Sequence, residues 1–379
     1  MLLWAVLKVL CKVILSRIQE KIDATLRRQQ AGFRAGRSYA DHIVTLRIIL
    51  KQVNEFQESL YLVFIDYEKA FDRLNHENMC DALRSKGVPE KIIALIEAQY
   101  EAFSCRVLQN GVLSEPIRVV AGVREARMYE YSITATVPHC NRRDPGLEIN
   151  VNKTKSLDVN TVTPSTFTVA GQSVENVESF QYLGSQMASD GGTKIDIGAR
   201  IKKARAAFAS LRNIWKNRQI SERTKIRIFN SNVKSVLLYA SETWCVSVEN
   251  TQRLQVFING CLRNIIRAWW PHNWISNTEL HRRCHQKPIA TEIRERKWRW
   301  VGHTLRRSGN DCRQALDWNP AGHRSRGRPR GSWRRSLCKE IKEVDSNLTW
   351  QQVKAMAGNR PGWRSFKSAL CTTRGAQEP

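Results

Sequence analysis

The stretch Leu60-Tyr61-Leu62-Val63-Phe64-Ile65, closed by Asp66 and followed by Tyr67-Glu68-Lys69-Ala70-Phe71-Asp72, decides how this chain is read. An uninterrupted apolar run of that length reads as a strand buried on both faces, in a sheet covered by helices. Asp66 then stands at the carboxyl end of the strand, where such sheets present carboxylates to magnesium and phosphate. The same position equally suits the cap of a following helix. Asp72 cannot partner it at a metal. The intervening residues span about 20 Å in a strand, or about 9 Å on a helix with the side chain rotated off the face. A two-metal site holds its ions about 3.5–4 Å apart, so its second carboxylate must come from another strand.

Working outward, residues 5–60 are helical in pattern with a glycine-punctuated break at 31–38. The apolar spacing Val6, Leu10, Val13, Ile14, Ile18, Ile22 predicts a core helix. Lys8 and Lys12 interrupt it, so it is not a signal peptide, and an intracellular protein is expected. A chain opening inside a helix is what a truncated product would show. Helices are expected around 75–85 and 89–103, and a hairpin over 104–121 around Asn110-Gly111. Periodicity then fails between Arg124 and Gly146. Short strands are expected at 147–150, 167–169 and 180–185. From Ile197 the stripe Ile197, Ile201, Ala204, Phe208, Leu211, Trp215 is helical, with Arg200 off it. Ser221 and Thr251 are the expected N-caps of the next two helices. Residues 277–379 read as shorter helices between Gly/Pro/Arg-rich turns.

The chain has 379 residues, 61 Lys+Arg and 35 Asp+Glu, a net charge of +26. Residues 281–340 alone hold 17 basic and 5 acidic side chains, whereas residues 1–120 hold 17 and 14. Such a surface seeks polyanions, most often nucleic acid. Of 12 tryptophans only Trp4 precedes residue 215. In the last third, Trp298, Arg299, Arg326, Arg328 and Arg330 interleave stacking rings with cations, the pattern of single-strand binding. Arg326-Gly327-Arg328-Pro329-Arg330-Gly331 also looks like a minor-groove AT-hook. No run approaches a membrane span. The 10 cysteines include no CxxC pair, which argues against a disulfide framework or disulfide-linked partner. His281, Cys284 and His285 are better read as ordinary residues than as zinc ligands.

Phe64-Ile65-Asp66-Tyr67-Glu68-Lys69-Ala70-Phe71-Asp72 closely resembles the first catalytic motif of non-LTR (LINE-type) retrotransposon reverse transcriptases. Gln30-Ala31-Gly32-Phe33-Arg34-Ala35-Gly36-Arg37-Ser38 is similar to that family's fingers motif, and Gly122-Val123-Arg124 to the start of its template-contacting motif. Leu147-Glu148-Ile149-Asn150 with Lys153-Thr154-Lys155 resembles the later palm segment, and Phe180-Gln181-Tyr182-Leu183-Gly184-Ser185 the primer-grip hairpin. The region through Trp298-Arg299-Trp300-Val301-Gly302-His303 resembles the C-terminal part of these elements. The resemblance implies an α+β fold: an incomplete right-hand polymerase of fingers and partial palm (1–122), an irregular junction (123–146), residual palm and primer grip (147–196), a helical thumb (197–276) and a basic helical region (277–379). It implies RNA template and DNA as partners and Mg²⁺ as cofactor, with Asp66 as metal ligand and Phe71 as a gate against the 2′-hydroxyl. Arg34 and Arg37 would touch template or triphosphate, and Tyr182 and Gly184 the primer. Lys153 or Lys155 would protonate pyrophosphate.

The departures matter most. The family carries an Asp-Asp hairpin, and this chain has no Asp-Asp dipeptide. Asp144, beside Arg142, Arg143 and Pro145, reads as a turn residue. The expectation is a polymerase relative without activity, whose Leu62 and Phe64 have lost their sheet neighbours. Alternatives are a nucleic-acid-binding protein acting through its thumb and basic region, an intact enzyme misrepresented by a gene-model or splicing error at 124–146, and a domesticated scaffold. The Arg-rich stretch makes nuclear residence an expectation too.

Overall fold

The computed structural model describes residues 5–32, 34, 36–101, 104–119, 121–122, 148–269, 271, 273–307, 311–324, 326–327 and 331–372. The chain opens with helices α1 (Ala5–Thr25) and α2 (Tyr39–Phe56), strand β1 (Leu60–Phe64), and helices α3 (Ala70–Arg73), α4 (His76–Ser85) and α5 (Glu90–Glu101). Short strands follow: β2 (Ser104–Cys105), β3 (Leu108–Gln109), β4 (Val112–Leu113), β5 (Ile117–Arg118), β6 (Lys155–Val159), β7 (Thr168–Val169), β8 (Gln172–Ser173), β9 (Glu175–Asn176), β10 (Ser179–Tyr182) and β11 (Ser185–Ala188). The remainder is helical: α6 (Lys194–Ser210), α7 (Arg212–Lys216), α8 (Glu222–Ile228), a π-turn (Phe229–Lys234), α9 (Ser235–Leu237), α10 (Val248–Ile266), α11 (Asn277–Arg283), α12 (Ile289–Leu305), α13 (Asp311–Asp317), α14 (Trp333–Val344), α15 (Trp350–Met356) and α16 (Arg360–Thr372). Helices with small sheets make the class α+β.

Two compact units share the chain discontinuously. One comprises Met1–Tyr39, Leu62–Ser156 and Ser165–Asn176; the other Ala40–Tyr61, Leu157–Pro164 and Val177–Pro379. In the first, Cys11, Ile14, Ile18 and Ile22 of α1 pack with Met79 and Leu83 of α4 and Ile93 and Ile96 of α5. The expected stripe thus holds only over its second half, since Val6, Leu10 and Val13 are exposed. The hairpin over 104–121 forms as expected, with β2 antiparallel to β5 and β3 to β4. Asn110 and Gly111 both take positive φ, 50° and 81°, as a type I′ turn requires.

β1 corrects one expectation. Among the described residues the sheet order is β1-β6-β9, with β1 at one edge and β6 as its neighbour. Phe64 is buried while Tyr61, Val63 and Ile65 are exposed. A short sheet covers one face only, so the strand is not buried on both faces, and Leu62 and Phe64 have not lost their sheet neighbour.

The second unit has two cores. Ile197, Ile201 and Ala204 of α6 meet Phe229, Val233, Leu237 and the α10 stripe Leu254, Ile258, Cys261, Ile265 in one. In the other, Ala40, Val44 and Ile48 of α2 pack with Trp298, Trp300 and Val301 of α12 and with Trp333, Leu337, Trp363 and Phe366. Ser221 caps α8 as expected. The α10 cap, however, is Ser247, whose side chain accepts from Asn250 N at 3.2 Å. Thr251 lies one turn inside and donates its hydroxyl to Ser247 O at 2.9 Å. Arg200, off the apolar stripe, is nonetheless buried, beside Asp196 and over the Tyr239 ring at 4.2 Å.

Candidate functional site

In the first unit, everything around Asp66 is arranged by backbone pairing beyond the end of β1. Asn150 N donates to Asp66 O at 2.8 Å, Glu68 N donates to Glu148 O at 2.7 Å, and Tyr67 bridges Ile149 antiparallel. The later palm-like segment therefore lies directly along the residues that follow Asp66. Thr154 Oγ1 accepts from Asp66 N at 3.3 Å. The chain then turns through Lys69, at φ 44°, into α3. Arg73 pairs with Glu68 at 2.8 Å and with Glu148. Its hydrogen bond to Glu148 raises the guanidinium above its usual pKa.

Gly122 docks on the same loop. Its N–H donates to Leu74 O at 2.9 Å and its carbonyl meets His76 Nε2 at 2.8 Å. At φ 91°, a Cβ here would lie 2.8 Å from Asp72 O, so only glycine fits. Sequence reasoning placed Gly122 in a motif but did not see this steric demand.

The Asp66 side chain is about half exposed, 48%, and the nearest cation is Lys153 Nζ at 4.0 Å from Oδ2. Lys155 is engaged elsewhere, with Glu175 at 2.5 Å. Among the described residues no group of three or more His, Cys, Asp or Glu side chains is placed to hold a metal ion. One exposed carboxylate facing an ammonium does not fit a pair of divalent cations, which need several converging oxygens. Asp144 and the side chain of Phe71 lie outside the described residues.

Arg34 is tied to its own chain. Its guanidinium donates to Asp23 O, Arg27 O and Gln30 O at 3.0–3.2 Å and to Asp23 Oδ1 at 3.3 Å. That is a C-terminal cap for α1, supplied by a cation where the helix dipole favours one. Arg37 is half-buried nearby.

In the second unit, the primer-grip-like hairpin is β10 against β11, closed by Leu183 and Gly184 at φ 47° and 78°. The turn is fastened from behind. Tyr239 Oη donates to Leu183 O at 2.9 Å, and Arg200 donates to Gly184 O. Tyr182 is half-buried, which pushes its phenol pKa upward. Beneath the hairpin, the Asp196 carboxylate accepts from Arg47 Nη2, Ser185 Oγ, Gln186 N and Trp244 Nε1 at 2.8–2.9 Å.

The aromatic expectation needs correcting. Trp298 is fully buried and donates to Glu340 at 2.6 Å, and Trp300 is buried with its N–H on Asp41 at 2.8 Å. Neither offers a face for a base, because α12 is enclosed on both sides: Trp363 and Phe366 pack on Trp298, and Trp333 on Trp300. Among the described residues the exposed indoles are Trp269, Trp274 and Trp318. Only their placement in loops between helical stripes could have singled them out. Arg299 and Arg326 are exposed; Arg328 and Arg330 lie outside the described residues. His281 hydrogen-bonds Asn259 at 2.8 Å, and Cys284 is buried. The described cysteines are free, and no described helix is long and apolar enough to cross a membrane.

Residues 2–125 match the reverse transcriptase (RNA-dependent DNA polymerase) family, and residues 207–239 match a domain family of unknown function. The first third of the chain is thus similar to reverse transcriptases, and the chain to proteins of transposon origin. It is 27% identical over 213 residues to an uncharacterised transposon-derived protein of Caenorhabditis elegans, covering 53% of this chain and 75% of that one. It is 26% identical over 118 residues to the uncharacterised 149 kDa protein of transposon TX1 of Xenopus laevis, covering 31% of this chain and 9% of that one. Over 113 residues it is 26% identical to the retrovirus-related Pol polyprotein from type-2 retrotransposable element R2DM of Drosophila melanogaster, covering 30% and 10%. The chain thus spans about a tenth of the two larger relatives.

Proposed function

We propose that this chain is a nucleic-acid-binding relative of a non-LTR retrotransposon reverse transcriptase that does not polymerise. One observation carries the reading: Asp66 faces Lys153 at 4.0 Å, and the sequence contains no Asp-Asp dipeptide to supply the second metal-holding carboxylate. The division into fingers and partial palm, primer grip, thumb and basic C-terminal region belongs to this proposal, as does nuclear residence. Of the two lysines, Lys153 is the one beside Asp66, which favours it over Lys155. Binding is assigned to exposed cations such as Arg299 and Arg326, with Trp269, Trp274 and Trp318 as stacking faces. Primer extension on a primed RNA template with Mg²⁺ should yield no product, while the same protein shifts the labelled template in a binding assay. A robust extension product overturns the proposal.

A second reading has one specific support. The chain leaves the Asp66 loop at Gly122 and rejoins it at Glu148, both held there by backbone hydrogen bonds. A longer segment carrying the missing hairpin would fit between those anchors. Sequencing the transcript across codons 124–146 decides this.

A further inference from the structure

We propose that a cavity in the second unit, between α2 and the start of α14, is a binding site for a backbone phosphate of nucleic acid. The inference rests on the nucleic-acid-binding reading and gives it a location. The cavity measures about 520 Å³, and its charged lining is Lys51, Glu55, Asp190, Arg324, Arg326 and Arg335. Four cations and two carboxylates give this lining a formal surplus of two positive charges. Glu55 is shared between Arg324 at 3.3 Å and Arg335, one carboxylate for two guanidiniums. Asp190 accepts from Gly192 N at 2.6 Å, which directs that carboxylate to its own turn.

The α14 terminus adds to this field. Its cap, Ser332, and the preceding Gly331 also line the cavity. The first turn of α14 carries no acidic residue and includes Arg334 and Arg335. Cations at the positive end of a helix dipole repel it, and an anion there relieves both. Lys51 is held toward the same place, its ammonium donating to Gly331 O at 3.3 Å. Arg326 is exposed at the rim. The chemistry selected is a phosphate group, carried by a nucleic-acid strand or free in solution.

The test uses the full chain and a short fluorescent single strand, with binding followed by polarisation across a salt series. For the Lys51→Gln/Arg326→Gln double variant, the slope of log affinity against log salt should fall by about 1.4, the single-strand value for two lost Lys/Arg–phosphate contacts. Arg313→Gln, on the exposed face of α13 outside the cavity, should leave the slope near wild type. Arg326→Gln alone, on an exposed side chain that cannot cost the fold, should remove about half of the change. A wild type that binds while the double variant keeps its slope overturns the cavity and leaves the general reading intact. An equal fall for Arg313→Gln does the same. A wild type that binds no strand at low salt removes both. Calorimetric titration with inorganic phosphate separates the sources: no heat at millimolar phosphate is expected, and tight binding of phosphate alone overturns the assignment to nucleic acid.

Discussion

Asp196 shows what a single carboxylate does in this protein. It is buried, as is Arg47, and burial pulls the Arg47 guanidinium below its usual pKa while Asp196 opposes that shift. Removing one partner strands the other in a dry environment. Asp196→Ala should therefore cost about 3–5 kcal/mol, read as a lowered urea midpoint. At Trp298, replacement by Phe keeps an aromatic ring but loses the N–H bond to Glu340. Stability should fall by about 1–3 kcal/mol with nucleic-acid affinity unchanged; Trp269→Ala should instead weaken single-strand binding by about 1–3 kcal/mol and leave the midpoint alone. The buried thiols add a pH signature. Burial pushes Cys80 and Cys261 up to about 12, and Cys284 and Cys312 up to about 11, from an ordinary 9.0. An unfolded chain releases these protons first, so stability is full below pH 9.0 and declines from there toward about 12. Unfolding midpoints measured across that range should drop steadily, and replacing Cys80 and Cys261 by Ala should flatten the decline.

At the scale of elements, the local signals were the readable ones. The α1–α2 break, the Asn110-Gly111 hairpin and the α10 stripe follow from glycine, turn chemistry and periodicity, all written within a few residues. The α10 cap was misplaced because Ser247 and Thr251 stand one turn apart before the same stripe, and only the backbone geometry chooses between them. That Arg200 and both Trp298 and Trp300 are buried was not legible, for a different reason. Their burial is decided by Asp196 and Tyr239, or by Asp41, Trp333 and Trp363, and no local pattern encodes such partners. Within the candidate site, Asp66 and Gly122 were legible as motif residues, but the choice between Lys153 and Lys155 needed the turn that carries them. The loop that follows β1 makes its own prediction. Gly122→Ala places a Cβ against Asp72 O at a positive φ, and it should destabilise the first unit by more than about 1 kcal/mol. Hydrogen exchange should show the loss concentrated in residues 66–76.

For the whole molecule, the chain order and the unit order disagree. α2 precedes β1, yet Ala40, Val44 and Ile48 belong to the same core as Trp298, Trp333 and Trp363. A fragment holding only residues 197–379 lacks that helix and both members of the buried Arg47–Asp196 pair. It should unfold without a cooperative transition, whereas the full chain unfolds cooperatively, as circular dichroism in urea would show. Binding experiments on such a fragment would report on a damaged scaffold. The interleaving also bears on how the protein is made. On the ribosome, α2 emerges long before α12, and at about 5–20 residues per second the delay is on the order of ten seconds or more. For that interval the inward face of α2 is an unsheltered greasy helix, so recovery of intact protein from cells should depend on chaperones that engage nascent chains.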